Sequence, residues 1–325
     1  MFALWKRYRH LAAAAPLMLA TIATAAAQAP YPNRNITLVL PFAAGSGTDT
    51  TTRLIGKELG TALGVSTVID NKAGANGSIA ASFVARAPAD GYTLFVTTNT
   101  THSANPYLLK TMSYDPIKDF TPIARTGDLP FMLVIHPDIP VNSVAELIAL
   151  AKKEPGKYSY ASGSSSASVS GATFARLAGI DLLHVPYKSS PPALTDVIAG
   201  RVSMMFIDVP TGLPHVNGKA LKALAVTTKK PSALLPDLPT MDNTVKGFDI
   251  TSWQGYLGPA NMPKDIVVKL NAEIRKIIER PDIKNQLAER GMEAFSGTPE
   301  EFDAFLKEQL VLWEKLIADA GIEKQ

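Results

Sequence analysis

The segment Ile36-Thr37-Leu38-Val39-Leu40 runs straight into Pro41-Phe42-Ala43-Ala44-Gly45-Ser46-Gly47-Thr48-Asp49. This order restricts the possible folds more than any other stretch. Five consecutive β-prone residues suit a short buried strand. Pro41 ends that strand because proline has no N–H to give to a ladder. Small residues then let the backbone turn sharply and approach a ligand closely. Thr48 or Asp49 is the expected cap of the helix that follows. A helix start presents unpaired N–H groups and a partial positive charge, which suits an anion.

The pattern recurs. Tyr158-Ser159-Tyr160-Ala161 is a short strand running into Ser162-Gly163-Ser164-Ser165-Ser166-Ala167-Ser168, before a helix carrying Phe174, Ala175 and Leu177. Between and after these loops the chain alternates strand-like and helix-like segments. Strands are expected at 65–69, 92–96, 131–135, 183–185, 202–207, 223–227 and 250–257. Helices are expected after Asp49, over 143–152, 191–199 and 266–278, and after Thr298-Pro299-Glu300-Glu301, a capping box with proline in its first turn. Such alternation predicts an α/β protein with mostly parallel sheets flanked by helices.

The first 27 residues read differently. Lys6, Arg7 and Arg9 precede an apolar run that ends Ala25-Ala26-Ala27, the order of a cleavable secretory signal. The run is short for a membrane span. The chain has no cysteine, which excludes a disulfide framework and a lipid-anchored signal. The expected destination is a bacterial periplasm. Removing residues 1–27 takes away three basic residues and no acidic one, so the net charge falls from +3 to zero. No basic patch then argues for nucleic acid or a membrane surface.

Catalytic readings are thin. Gly163-Ser164-Ser165-Ser166-Ala167 loosely matches a nucleophile elbow, so a secreted serine hydrolase using the Ser164–Ser166 loop is the alternative function. The histidines His102, His136, His184 and His215 are scattered, however, and none sits in a triad context. No histidine or cysteine cluster has metal-ligand spacing. Thr50 stands where a dinucleotide fingerprint requires glycine. No cofactor and no metal is expected. Anion binding survives: three or four hydrogen bonds to a carboxylate, each worth about 1.5–3 kcal/mol, support roughly micromolar affinity after ordering costs.

Several motifs in colinear order resemble one family. They are Pro41 to Asp49, Asn71-Lys72-Ala73-Gly74-Ala75-Asn76-Gly77, Asp90-Gly91-Tyr92-Thr93-Leu94 and His102-x-x-Asn105-Pro106. Further on come Tyr114-Asp115-Pro116-x-Lys118-Asp119-Phe120, Tyr160-Ala161-Ser162-Gly163, His184-Val185-Pro186-Tyr187-Lys188 and Leu221-x-Ala223-Leu224-Ala225-Val226-Thr227. Together they resemble the periplasmic solute receptors of the tripartite tricarboxylate transporter family, often called Bug receptors.

The resemblance implies a two-lobed periplasmic binding protein of the type II, Venus-flytrap kind, with no enzymatic activity. Residues 28–128 and 252–325 would form lobe 1 and residues 129–251 lobe 2, with hinges near 127–131 and 250–253. One ligand carboxylate would lie between the two loops, held by Ala44, Gly45, Ser46 and Thr48 from one lobe and by Ser162, Ser166 and Ser168 from the other. Phe42 would wall the site, with Asn99 and His102 near the cleft. The expected partners are a small-molecule carboxylate and membrane transporter subunits, or alternatively a two-component sensor. The receptor is expected to be a monomer. A cytoplasmic regulator built on the same lobes would need a helix-turn-helix where this chain has its signal.

The chain departs from the family pattern at Ser164 and Ser168, which replace a glycine and a histidine found in many members. It departs again at Phe206-Ile207-Asp208-Val209-Pro210, where Ile207 takes an acidic position and Asp208 an amide. Ile207 cannot meet a ligand ammonium, and an ionised Asp208 would repel a second carboxylate. The resemblance therefore implies a ligand without an ammonium group, such as an aromatic carboxylate lying against Ile207 and Phe42.

Overall fold

The computed structural model describes residues 30–324; the expected signal, residues 1–27, lies outside them. The chain runs β1 (Ile36–Leu40), α1 (Gly47–Leu63), β2 (Thr67–Asn71), α2 (Ser78–Ala85), β3 (Thr93–Thr98), α3 (Asn105–Leu108) and β4 (Phe120–Leu129). It continues through β5 (Phe131–Ile135), α4 (Val144–Lys153), β6 (Ser159–Ser162), α5 (Ser165–Ala178), β7 (Leu183–Pro186), α6 (Ser190–Ile198), β8 (Met204–Asp208), α7 (Val209–Asn217) and β9 (Lys222–Val226). It ends with α8 (Met241–Thr244), β10 (Ser252–Pro259), α9 (Lys264–Glu279), α10 (Pro281–Glu289), β11 (Glu293–Ala294) and α11 (Pro299–Asp319).

Two sheets result. One has the order β11-β4-β10-β3-β1-β2 and the other β7-β6-β8-β5-β9. The expectation of mostly parallel pairing holds only where strand and helix alternate. β1 pairs in parallel with β2 and β3, and β6 with β7 and β8. Pairing is antiparallel along β10 with β3 and β4, along β11 with β4, and along β5 with β8 and β9. The antiparallel pairs all involve β4, β5 or β10, the strands that enter and leave the second sheet, where the β4–β5 passage carries no crossover helix.

β1 and β8 show how a strand buried on both faces serves two cores. Ile36, Leu38 and Leu40 face a cluster containing Leu59, Leu270 and Ile274, whereas Val39 faces Phe95, Trp253 and Phe302. In β8, Met204 and Phe206 join one cluster and Met205 and Ile207 another. This is the two-residue period of a strand with packing on both sides. α11 bridges the halves: Phe302 and Leu306 pack with Trp253, while Trp313 and Ile317 pack with Phe174 and Phe206. Thr298 and Glu301 form the expected capping box at its start. Pro281 ends α9 as expected, then serves as a first-turn residue of α10. No helix among the described residues is long and apolar enough to cross a membrane.

Candidate ligand-binding site

The loop after β1 is braced from beneath. The cap of α1 is Ser46, not Thr48 or Asp49: its Oγ accepts from the Asp49 amide at 3.3 Å, and the helix opens at Gly47. Asp49 is only 2% exposed and is spent on the loop itself. Its carboxylate accepts from the Gly45 amide at 2.9 Å, from Arg53 at 2.9 and 3.0 Å, and from Asn71 Nδ2 at 3.0 Å. Burial alone would raise its pKa, but these bonds outweigh burial and hold the carboxyl below its ordinary value. Asn71 also donates to the Phe42 carbonyl at 2.9 Å, and Gly45 turns with φ of +81°. The Gly45 amide is therefore committed to Asp49, and Ala44 and Gly45 are exposed. The amides of Gly47 and Thr48, in the first turn of α1, have no acceptor among the described residues.

Gly47 and Thr48 line a small cavity of about 20 Å³, close to the volume of one water probe. Phe42, Leu129 and Phe131 supply its apolar wall. Ser46, Thr48, Thr98 and Thr100 supply hydroxyls from the first sheet's side, Ser164, Ser190 and Asp208 face them from the second, and Ser252 comes from the returning strand β10. Gly47 touches Asp208 so closely that a Cβ there would fall 2.1 Å from the carboxylate oxygen.

Hydrogen bonds tie the two sides. Asn99 Nδ2 donates to Ser166 Oγ at 2.7 Å, and the Asn99 carbonyl oxygen accepts from Ser252 Oγ. The Ser165 amide donates to Thr100 Oγ1 at 3.3 Å, and the Ala43 amide to Ser189 Oγ at 3.1 Å. Behind them, Gln254 on β10 accepts from Thr51 Oγ1 at 2.7 Å and so fixes α1 to the returning strand.

The expected residues divide unevenly. Phe42, Ser46, Thr48 and Asp208 line the cavity, and Asn99 and Ser166 bridge its edge. Ala44 and Gly45 lie outside the lining, on the exposed part of the loop. Ser162 and Ser168 line a different, neighbouring cavity with His184. His102 is not at the cleft. It is fully buried among Phe95, Tyr114 and Phe120, with Nδ1 2.6 Å from Thr97 Oγ1, and burial pulls its pKa down to about 3. A turn of π-helix over Thr100–Ala104 rotates it inward. Ile207 points into the core with Met132 and Val209, away from any ligand, because the next residue in the strand must face the opposite way. Asp208 caps α7, accepting from the Thr211 amide at 3.0 Å and from its hydroxyl. Burial nonetheless pushes its carboxyl above the ordinary range, against those bonds.

Gly47, Thr98, Thr100, Ser190 and Ser252 were missed by sequence reasoning. The signal available was position: Thr98 and Thr100 stand at or just beyond the end of β3, Gly47 and Ser190 open α1 and α6, and Ser252 opens β10. Among the described residues the serine loop is not joined to a histidine and carboxylate in a triad. Ser164 Oγ accepts from the Ala167 amide, Ser166 Oγ from Asn99, and His184 bonds Ser162 with no carboxylate partner among the described residues.

Residues 51–322 match the family described as tripartite tricarboxylate transporter family receptor. The chain is similar to Rpa4515 of R. palustris solved with adipate, at 36% identity over 91% of this chain and 100% of that one, with a TM-score of 0.89. It is similar to the periplasmic binding protein BugD, at 34% identity over 91% and 100%, TM-score 0.86. It is also similar to MatC of Rhodopseudomonas palustris with bound malate, at 30% identity over 88% and 100%, TM-score 0.83.

Proposed function

This chain belongs to the tripartite tricarboxylate transporter receptor family, and from that premise we propose that it captures a small organic carboxylate by closing two lobes over it. Residues 28–128 with 252–325 form one lobe and 129–251 the other, with α11 laid across both. The observation that carries this reading is the meeting of two helix starts at one cavity. The free Gly47 and Thr48 amides of α1 share the lining with Ser164, the cap of α5, a cradle matched to one negative head group. The cavity of about 20 Å³ is too small to admit an organic acid, so loading requires the lobes to part about the β4–β5 and β9–β10 passages. Ligand then shifts the population towards the closed form.

The ligand carries no ammonium group. The one acidic side chain in the lining, Asp208, is engaged by Thr211 as a helix cap, and its burial favours the neutral form. Phe42, Leu129 and Phe131 accept the ligand's apolar body in place of Ile207. Adipate in Rpa4515 and malate in MatC are both carboxylates without an amine. The receptor acts in the periplasm as a monomer after loss of residues 1–27, and hands its ligand to membrane transporter subunits.

Isothermal titration of residues 28–325 against adipate, malate, benzoate, glutamate and aspartate tests this. Micromolar binding of an ammonium-free acid is expected. Tight binding of glutamate or aspartate, with none of the others, overturns the ligand class.

A further inference from the structure

Asp208 is the one ionisable side chain in the lining of the main cavity. Strand β8 ends on it and α7 starts from it, and the two-residue period of the strand turns it away from the core that holds Ile207. Thr211 donates to it twice, from its amide at 3.0 Å and from its hydroxyl, and both bonds fall on one oxygen, Oδ1. Oδ2 is left for the cavity. Gly47 stands against the same carboxyl, and a Cβ there would overlap Oδ1. The residue that supplies half of the amide cradle therefore touches an acid.

A carboxylate in that cradle would lie beside Asp208, and like charges so close cannot both stay ionised in a buried site. The charged groups on the surrounding elements are spent elsewhere. On α1, Arg53 is bonded to Asp49, which also holds the Gly45 amide. On α6, Asp196 bonds Tyr187 and Arg201. His215 lies in the last turn of α7, at the far end from its cap. Arg290 and Glu293 flank Gly291, which packs on Val209 and Pro210, but they bond Gln286 and Ser232. Strands β4, β5 and β10 present only Leu129, Phe131 and Ser252 to the cavity. Burial already pushes the Asp208 carboxyl above its ordinary range, and an anion alongside pushes it the same way.

We propose that Asp208 takes up one proton as a ligand carboxylate enters the α1 cradle, and that its Oδ2–H then donates a hydrogen bond to that carboxylate. The inference rests on the proposed receptor function and adds a condition to it: capture of the anion consumes a proton. The proton comes from solvent and returns there on release. The loaded pair of carboxyl groups carries a single negative charge, which faces the Gly47 and Thr48 amides. Capture is then strongest in acid and weakens as pH rises.

Isothermal titration of residues 28–325 with adipate, malate and benzoate tests it between pH 6.5 and pH 8.5, where all three acids are ionised. Wild-type affinity is expected to fall about tenfold per pH unit, the slope of one proton taken up. At pH 7.5 the binding heats in phosphate and in Tris should differ by the heat of ionising one equivalent of buffer. Asp208→Asn places a permanent N–H donor at the same point. Its affinity should be flat with pH, its heats should agree between buffers, and at pH 8.5 it should bind at least tenfold more tightly than wild type. The melting temperature of the ligand-free variant checks folding. If the asparagine variant is unstable, Asp208→Ser, which keeps a cap for α7 and has nothing to titrate, should lose the slope as well. A flat wild-type profile with equal heats in both buffers overturns the proton link and leaves the receptor reading standing. So does a slope that survives substitution, which would put the proton on another group. Binding of no acid at any pH overturns the receptor reading and the inference with it.

Discussion

The loops after β1 and β6 follow one plan, strand to small-residue turn to helix, yet they divide the labour of the site differently. In the first, a buried carboxylate, Asp49, gathers Gly45, Arg53 and Asn71 and makes the turn rigid, which leaves two helix amides unspent. In the second no charge is used. Two of its groups reach to the opposite side, the Ser165 amide to Thr100 and Ser166 Oγ to Asn99. One loop is a fixed cradle. The other, on the proposed reading, is a latch whose bonds across the cleft form as the lobes close.

The same substitution placed in each loop should expose the difference. At Gly163 a methyl group would meet the Ser189 and Ser190 backbone at 2.2–2.6 Å within its own half of the molecule. Backbone cannot yield as a side chain does. Gly163→Ala is expected to cost about 3 kcal/mol of stability, read by urea denaturation. At Gly47 the methyl would meet the Asp208 carboxylate across the cleft. Gly47→Ala should leave the melting temperature close to wild type and obstruct closure, weakening ligand binding roughly hundredfold, or about 2.8 kcal/mol. If Asp208→Ser is added and binding recovers, the obstruction is located at that contact. If Gly47→Ala lowers stability and spares binding, the cradle and the latch have been assigned the wrong way round.

The brace beneath the cradle comes next. Asp49→Asn removes a charge that receives four hydrogen bonds, and should cost about 2 kcal/mol. The wild-type carboxyl titrates below its unfolded value, so its contribution is complete above the unfolded pKa and is lost as pH falls through the folded one. The variant's stability curve should therefore be flatter on the acid side, as thermal melts from pH 6 to pH 3 would show.

How far the sequence foretold all this depends on whether a residue's role is local. β1, β5 and the two glycine-rich turns were readable because apolar runs and small residues act within a few positions. The helix starts were readable to within two residues, but Ser46 won the cap over Thr48 because its hydroxyl reaches the Asp49 amide. β4 was not readable as a strand. Pro122, Arg125, Gly127 and Asp128 break its pattern, and it pairs with β10 only by bulging twice, at Ile123 and at Thr126. Side-chain direction was the other blind spot. His102 and Ile207 lie beside the right segments in sequence, but a π-turn sends one inward and strand alternation the other. Asn99, three residues before His102 and just beyond the end of β3, instead turns its side chain to Ser166 and Ser252.

His102 supplies a prediction that separates core from site. Buried and neutral in the folded protein, it takes up a proton readily only when unfolded, so stability should fall as pH drops below about 6.5. The fall attributable to this residue is at most about 1.4 kcal/mol per pH unit and ends near the folded pKa of about 3. His102→Phe, an apolar ring set among Phe95, Tyr114 and Phe120, should remove that slope and leave ligand affinity at pH 7.5 within twofold. A tenfold loss of affinity would return His102 to the binding machinery.

The smallest effect bears on the latch itself. Ser166 Oγ accepts the Asn99 bond across the cleft while Asn99 is anchored to Ser252 on the returning strand. Removing a single neutral hydrogen bond costs about 1 kcal/mol, so Ser166→Ala should weaken binding about fivefold by favouring the open form, with little change in melting temperature without ligand. If the bond forms on closure, as proposed, the loss should appear as faster ligand dissociation in stopped-flow, with the association rate unchanged. An enzyme using this serine as its nucleophile would behave otherwise: turnover of an ester substrate would vanish in Ser166→Ala while affinity stayed near wild type. Equal ligand dissociation rates in the wild type and the variant would remove Ser166 from the latch, and Asn99→Ala would then show whether the remaining bridge to Ser252 matters for closure.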